Sequence, residues 1–458
     1  MSRFINLLLL FPFLIFGQTQ ELTYTEFLGY VKKFHPLVKQ AQLNLSEAQA
    51  ELMQARGGFD PKFEGDFNQK EYKNKNYYTH FNSSFKIPTW YGVELKASFD
   101  TNDGIYLNPE TNLPTQGLMA VGVSVPLGQG LLINQRMADI RKAKIAQTLN
   151  TAERDLQALE VIVQASISYF NWKRTHQELE LYQHYFENAK IRKNGILKLI
   201  EQGDKPAIDS VEAGITLRNR ELNIEDAKLK LTKARLEVSN FLWTNDNIPL
   251  EISEKLVPET NLELSITATL KQEDLTSFKT ANHPKIKALQ SKLEILEVER
   301  KLKANLLLPK LNVSYNYLSE PKYFDNYRFQ DYKLALNFAM PLFLRKERGS
   351  LKLAQLKIQD TEFKLQFEQL QLQNKLSAQQ QEVISINKQL NINKKLVNDF
   401  ETLLKGEEKL FEIGESSLFL MNTRENALVS SKLSDIALQN RFYNTLISYY
   451  QLWGNPNL

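Results

Sequence analysis

Cysteine is missing from all 458 residues of the chain, so a disulfide framework, a thiol nucleophile and a lipid-modified cysteine anchor are all excluded. Histidine is scarce. His35, His80, His176, His184 and His283 show no HExxH run or other paired ligand spacing, and His176 and His184, eight apart, read as solvated helical positions rather than metal ligands. There is no GxSxG elbow to hold a nucleophilic serine. Gly128-Gln129-Gly130 sits between a strand pattern and a helix pattern, but the third glycine and the βαβ surroundings of a phosphate-binding turn are absent, which leaves a linker. Asp100, Asn102 and Gly104 fail as a calcium loop because the glycine comes one position early. No catalytic constellation, cofactor or metal is expected. One-sided charge is lacking too: 57 basic and 53 acidic residues are spread along the chain without a basic stripe, so nucleic acid is not an expected partner.

Long apolar runs are also missing. Arg3, the apolar stretch Leu7 to Phe16 broken by Pro12, and the small or polar Gly17 to Gln20 read as a secretory signal peptide over residues 1–18. That stretch falls short of the roughly 20 apolar residues a spanning helix needs, and nothing later in the chain is longer. A membrane role would have to be carried by strands.

What is present is a repeat. His35-Pro36-Leu37-Val38-Lys39 is echoed by His283-Pro284-Lys285-Ile286-Lys287, and Pro61-Lys62-Phe63 by Pro309-Lys310-Leu311, both pairs 248 positions apart. Further along, Pro126 matches Pro341, Gly203 matches Gly414 and Trp243 matches Trp453 at offsets of about 210 to 215. The chain therefore divides into a first repeat over 19–243, a connector with short irregular elements over 244–282 that holds Pro249 and Pro258, a second repeat over 283–454, and a tail over 455–458.

Each repeat follows the same order. A helical stretch comes after the His-Pro pair, over 37–56 and 286–308. The period then changes to two: Leu311, Val313, Tyr315, Tyr317 alternate with Asn312, Ser314, Asn316, and Tyr332, Leu334, Leu336, Phe338 with Lys333, Ala335, Asn337. Met119, Val121, Val123, Val125 show the same alternation in the first repeat, with Phe63, Gly65, Phe67 as a weaker opening strand. Phe81, Ser83, Phe85 and Val93, Leu95, Ala97, Phe99, on either side of Pro88 to Gly92, either lengthen strands and an external loop or add strands. After each strand-ending proline a helical pattern without proline runs over about 131–202 and 349–413, on the order of 100 Å at 1.5 Å per residue. Gly203 and Gly414 break it, and a second helix returns to Trp243 and Trp453.

Strands with one apolar face, about four in number, suit a membrane barrel but cannot close one alone, because small barrels need about eight. Subunits must then pool strands. Tyr72, Tyr77, Tyr78, Trp90 and Tyr91, and Tyr315, Tyr317, Tyr323, Tyr327 and Tyr332, crowd these regions as interface girdles do.

The duplicated His-Pro, the strand-ending Pro126 and Pro341, the turns Glu201-Gln202-Gly203-Asp204 and Glu412-Ile413-Gly414-Glu415-Ser416-Ser417, and the tryptophans closing both repeats resemble the outer-membrane efflux protein family, the TolC-like channels. The resemblance implies a mainly helical fold with membrane β-structure. In it, a homotrimer joins four strands from each copy into a twelve-stranded outer-membrane barrel, and long antiparallel helical hairpins form a tunnel reaching into the periplasm. It implies a passive export duct of a tripartite efflux or type I secretion system, surrounded by outer-membrane lipid and docked to a periplasmic adaptor and an inner-membrane pump. Carried over by position, Gly203, Asp209, Gly414 and Leu418 belong to the periplasmic tip and its adaptor contact, and Pro126 and Pro341 to the junction between barrel and helices. Relatives often carry a carboxylate six residues past the second glycine, where this chain has Leu420; Glu412, Glu415 and Glu425 are candidate substitutes. An exported coiled-coil structural or adhesive protein is the competing reading.

Overall fold

The computed structural model describes residues 20–263, 266 and 280–454. The expected leader over 1–18, the tail over 455–458 and part of the connector over 244–282 lie outside the described residues. The chain folds into two compact units, one drawn from 1–40, 156–278 and 372–458 and the other from 41–155 and 279–371.

In the first unit, β1 (Gln20–Leu22) pairs in parallel with β6 (Leu256–Pro258), which the connector supplies. Helix α1 (Tyr24–Phe34) starts on a capping box, Thr23 receiving the Glu26 amide while the Glu26 carboxylate receives the amide of Thr23. Its apolar positions Tyr24, Phe27 and Val31 are fully buried. They pack against Tyr169, Phe170 and Trp172 of α3 (Gln135–Glu201). Tyr169 also ties both short strands: its hydroxyl donates to the Leu22 carbonyl at 2.6 Å and accepts from the Glu259 amide at 3.0 Å. Beside it the buried Lys173 ammonium donates to the Glu259 and Thr260 carbonyls at 2.6 and 2.8 Å, and burial pushes its pKa below the ordinary lysine value.

The His-Pro pairs prove to be helix starts. Helix α2 (Pro36–Gly57) and helix α5 (Pro284–Asn305) each place proline in the first turn, where the missing amide costs nothing. The preceding imidazole acts as the cap: His35 Nδ1 accepts from the Leu37 amide at 3.3 Å, and His283 Nδ1 from the Lys285 amide at 3.1 Å. Only a neutral ring can accept there, since both nitrogens donate in imidazolium. Both histidines are buried. Proline-free stretches give α3, 67 residues long, and α6 (Arg345–Glu412), 68 residues long. Helices α4 (Ile208–Ser239) and α7 (Leu418–Trp453) return from them. Among the described residues no helix is long and apolar enough to cross a membrane.

The second unit holds one antiparallel sheet in the order β2-β3-β4-β5-β7-β8: β2 (Lys62–Tyr72), β3 (Lys75–Pro88), β4 (Glu94–Asp103), β5 (Leu118–Pro126), β7 (Lys310–Ser319) and β8 (Tyr332–Ala339). It has six strands where about four were expected. Residues 80–102 add strands rather than extend a loop: after Pro88 the chain reverses through Thr89–Gly92, with the Thr89 amide bonded to the Val93 carbonyl at 2.9 Å and Gly92 at φ +74°. The register keeps one face apolar throughout. Phe63, Phe85, Ala97, Val121, Tyr317 and Tyr332 form one row of partners across all six strands, and Lys62, Lys86, Lys96, Gly122, Asn316 and Lys333 form the adjacent row on the other face. Large apolar residues on the first face, among them Phe63, Phe67, Phe81, Phe85, Leu334, Leu336 and Phe338, stay exposed.

Burial is the main cause pushing His35 below its ordinary pKa of 6.5, opposed by a backbone hydrogen bond at Asn240. With the folded value depressed, the neutral ring contributes stability that is present above about pH 6.5 and lost as pH falls towards the folded pKa, because the unfolded chain takes up the proton first. His35→Asn keeps a capping acceptor that does not titrate. Circular-dichroism melts should show a smaller fall in midpoint between pH 7 and pH 5 for this variant than for the unaltered chain.

Candidate functional site: the paired helical turns and the charge cluster behind them

Both long hairpins turn in the same way. Gly203 and Gly414 take φ of +85° and +81°, and each closes a Schellman motif. In the first turn the Gly203 amide bonds to Ile200 at 3.0 Å and the Asp204 amide to Leu199 at 2.9 Å; in the second, Gly414 bonds to Phe411 at 3.2 Å and Glu415 to Leu410 at 2.9 Å. A Cβ on either glycine would meet nothing within 4 Å, so the left-handed backbone, not space, is what calls for glycine. The turns touch, with the Lys205 ammonium 4.8 Å from the centre of the Phe411 ring.

Past the first turn, half-buried Asp209 lies in the opening turn of α4, where a carboxylate complements the helix dipole. Past the second, the Ser417 hydroxyl caps α7 by accepting from the Leu420 amide at 3.3 Å. Leu418 points inward at 3% exposure and joins Tyr185, Ile196, Ala213, Leu404 and Met421 in a core built from α3, α4, α6 and α7. The apolar groups displayed near the turns are instead Ile208, Val211, Ile413, Phe419 and Leu420, of which the sequence reading named Leu420 only for lacking a carboxylate and Ile413 only as part of the turn. The 418, 421, 425, 428 spacing on α7 would have separated inward from outward positions.

That inward seam contains one charge. Glu425, 1% exposed, receives both prongs of Arg192 from α3, Nη1 to Oε2 at 3.0 Å and Nη2 to Oε1 at 3.1 Å. Arg220 from α4 brings Nη2 to 3.5 Å from the same Oε2 and to 2.7 Å from Asn426 Oδ1. Asn422 extends the network, accepting from Arg192 at 3.3 Å and donating to Glu212 at 3.2 Å. The Arg220 guanidinium also lies 5.9 Å from the Tyr185 ring centre. Three helices are thus joined around one carboxylate, and of the candidate pore acids Glu425 is fully engaged in this packing. Glu412 and Glu415 remain exposed at the second turn, and Glu201 and Asp204 at the first.

At the other ends of the helices, Pro126 closes β5 and Pro341 follows β8. The first crossing is stitched to the second repeat: the Leu127 amide bonds to Leu311 at 2.7 Å and Gln129 to Pro309 at 3.0 Å, and Gly130 bonds to Asn305 Oδ1 at 2.8 Å. A Cβ on Gly128 would stand 2.4 Å from the Pro309 carbonyl oxygen, so the glycines of this linker serve close backbone approach. The second crossing is barer, with Pro341, Leu342 and Phe343 exposed and Leu344 at φ +48°.

No family model and no curated protein matches the chain by sequence. Solved structures do match by fold. The CmeC outer membrane channel of Campylobacter jejuni aligns over 94% of this chain and 85% of its own at a TM-score of 0.65 and 14% identity. The MtrE outer membrane channel of Neisseria gonorrhoeae, in its open state, aligns over 94% and 88% at 0.66 and 13%. The outer membrane protein VceC of Vibrio cholerae aligns over 94% and 96% at 0.64 and 12%. The chain has the fold of these TolC-like channels.

Removing one member of a buried ion pair leaves an uncompensated charge, at a cost of about 3 to 5 kcal/mol. Glu425→Ala should lower the stability of the helical hairpins by that order in denaturant unfolding followed by circular dichroism. Arg192→Met with Arg220→Met and Glu425→Leu together should recover most of the loss.

Proposed function

We propose that this chain is one subunit of a trimeric outer-membrane export channel, passive in itself, through which substrates leave when an adaptor and an energised inner-membrane pump engage its periplasmic turns. Helix α4 carries the reading furthest, because it has two apolar seams. One is buried in this chain, formed by Ala213, Ala227 and Ala234 with Ile224, Leu231 and Val238. The other is Ile208, Ile215, Leu222, Leu229 and Leu236, five residues at strict seven-residue spacing, each more than half exposed. At about 100° per residue the second seam lies half a turn from the first. An apolar seven-residue repeat is the mark of a helix that packs against another. A helix with such seams on opposite sides belongs in a closed wall, flanked by its own chain on one side and by a neighbouring copy on the other.

The sheet supports the same reading. Its apolar face runs across all six strands and is most exposed on β2 and β8, as a lipid-facing surface is, and its polar face suits a water-filled lumen. An exported coiled-coil structural protein would leave this sheet without a role. The barrel lies in the outer membrane and the helices reach into the periplasm, where the Gly203 and Gly414 turns form the end that opens. Exposed Phe419, Leu420 and Ile208 offer the adaptor an apolar grip, and the exposed carboxylates Glu412 and Glu415 border the passage.

The unaltered protein should sediment with the outer membrane, survive detergent as a heat-resistant trimer and conduct ions in planar bilayers. Leu222→Glu combined with Leu229→Glu alters only the exposed seam and should convert the trimer to monomers with helical content retained. Recovery of the unaltered chain as a water-soluble monomer would sink the proposal.

A further inference from the structure

The sheet has two open edges. β2 exposes all eleven of its residues and β8 all but one of its eight, and neither strand contains a proline that would block pairing. Six strands are too few to close a barrel, and unpaired backbone groups cannot stay open to lipid. Among the described residues nothing covers either edge, so a partner strand from outside them is required. Every neighbouring pair of strands is antiparallel, so with an even number β2 and β8 point in opposite directions. β8 of one copy and β2 of the next therefore continue the antiparallel pattern without a break.

The strands beyond the expected four are not a soluble decoration. β2 and β3 are joined by a two-residue turn with Lys73 and Asn74 at φ of 52° and 58°, the type I′ geometry whose twist matches a paired hairpin. Phe63 and Phe67 on β2 stand in register with Phe85 and Phe81 on β3, on the same side as Leu334 and Leu336 of β8. The apolar face thus reaches both edges.

We propose that β2 of each copy pairs with β8 of the next, so that every copy places all six strands in the shared barrel. Resting on the trimeric channel reading above, this gives eighteen strands rather than twelve. Since barrel diameter grows roughly in proportion to strand number, the lumen is about 1.5-fold wider than a twelve-stranded one, in the range where porins leave an open aqueous channel.

The absence of native cysteine makes a crosslinking test clean. Cysteines at Glu64, Asp66 or Asn68 of β2, each combined with one at Lys333, Ala335 or Asn337 of β8, lie on the polar face and are oxidised in isolated outer membranes. At least one pair should give a covalent ladder ending at trimer, while the same β8 positions combined with Ser98→Cys on β4 give none. Crosslinking through β4, no crosslinking in a membrane-inserted trimer, or a ladder ending at dimer would overturn the inference and leave a twelve-stranded or otherwise sealed barrel. Recovery of the unaltered chain from the soluble fraction would remove the channel reading and this inference together. Projection images of the unaltered trimer down its axis count the strands without any substitution, with eighteen expected and twelve decisive against.

Discussion

A peptide group removed from water has to find a hydrogen-bond partner, and in the six-stranded sheet that requirement is met everywhere except along two lines. Within the sheet, every strand finds its neighbour from β2 through β8. The long hairpins satisfy their own backbones, with glycine ending α3 and α6 and serine capping α7, while imidazoles cap α2 and α5. What remains is the outer edge of β2 and the outer edge of β8, together with apolar surface on one sheet face and one side of α4. These leftovers are of matching kinds, edge with edge and seam with seam. In the proposed trimer, these complementary borders are what neighbouring copies cover.

The two repeats reach the same local solutions with the same residue types. A buried neutral histidine followed by proline starts α2 and α5, and a left-handed glycine in a Schellman motif ends α3 and α6. The second hairpin adds a serine cap where the first has Ala207, which offers no side-chain acceptor. Where the repeats diverge most is the sheet, to which the first contributes four strands and the second two. The charge cluster is shared: Arg192 and Arg220 come from the first repeat and Glu425 from the second. A bidentate pair at 1% exposure resists separation, because drawing it apart strands charge in a poorly hydrated place. Helices α3, α4 and α7 are therefore fastened to one another behind the turns.

Much of this was legible in the sequence because it rests on local rules. Proline-free stretches foretold α3 and α6 to within a few residues, and the change from a period near four to a period of two located β5, β7 and β8. The glycines at 203 and 414 announced turns because little else tolerates a positive φ. Less legible was β2, whose sequence KFEGDFNQKEY alternates only at Phe63 and Phe67 and is otherwise polar. Its pairing is decided by β3, a neighbour that local propensity does not reveal. The Arg192–Glu425–Arg220 cluster was hidden for a related reason. A lone charge on a helix looks solvated until the phase of the packed seam is known, and that phase came from contacts spanning more than 200 positions. Leu418, carried over by position to the tip and its adaptor contact, has its side chain in the core, a phase that position alone does not give.

The seam between β5 and β7 joins the first repeat to the second within one chain. Under the proposed arrangement, the seam between β8 and β2 joins the second repeat to the first of another chain. The finished ring would then be six repeat units meeting at alternating covalent and non-covalent borders. Had the repeats been separate polypeptides, six bodies would have to meet and sort themselves into strict alternation. Fusing them makes three of those encounters intramolecular, where the effective concentration set by a short connector is in the millimolar range. Under that arrangement, duplication followed by fusion lowers the order of assembly from six to three.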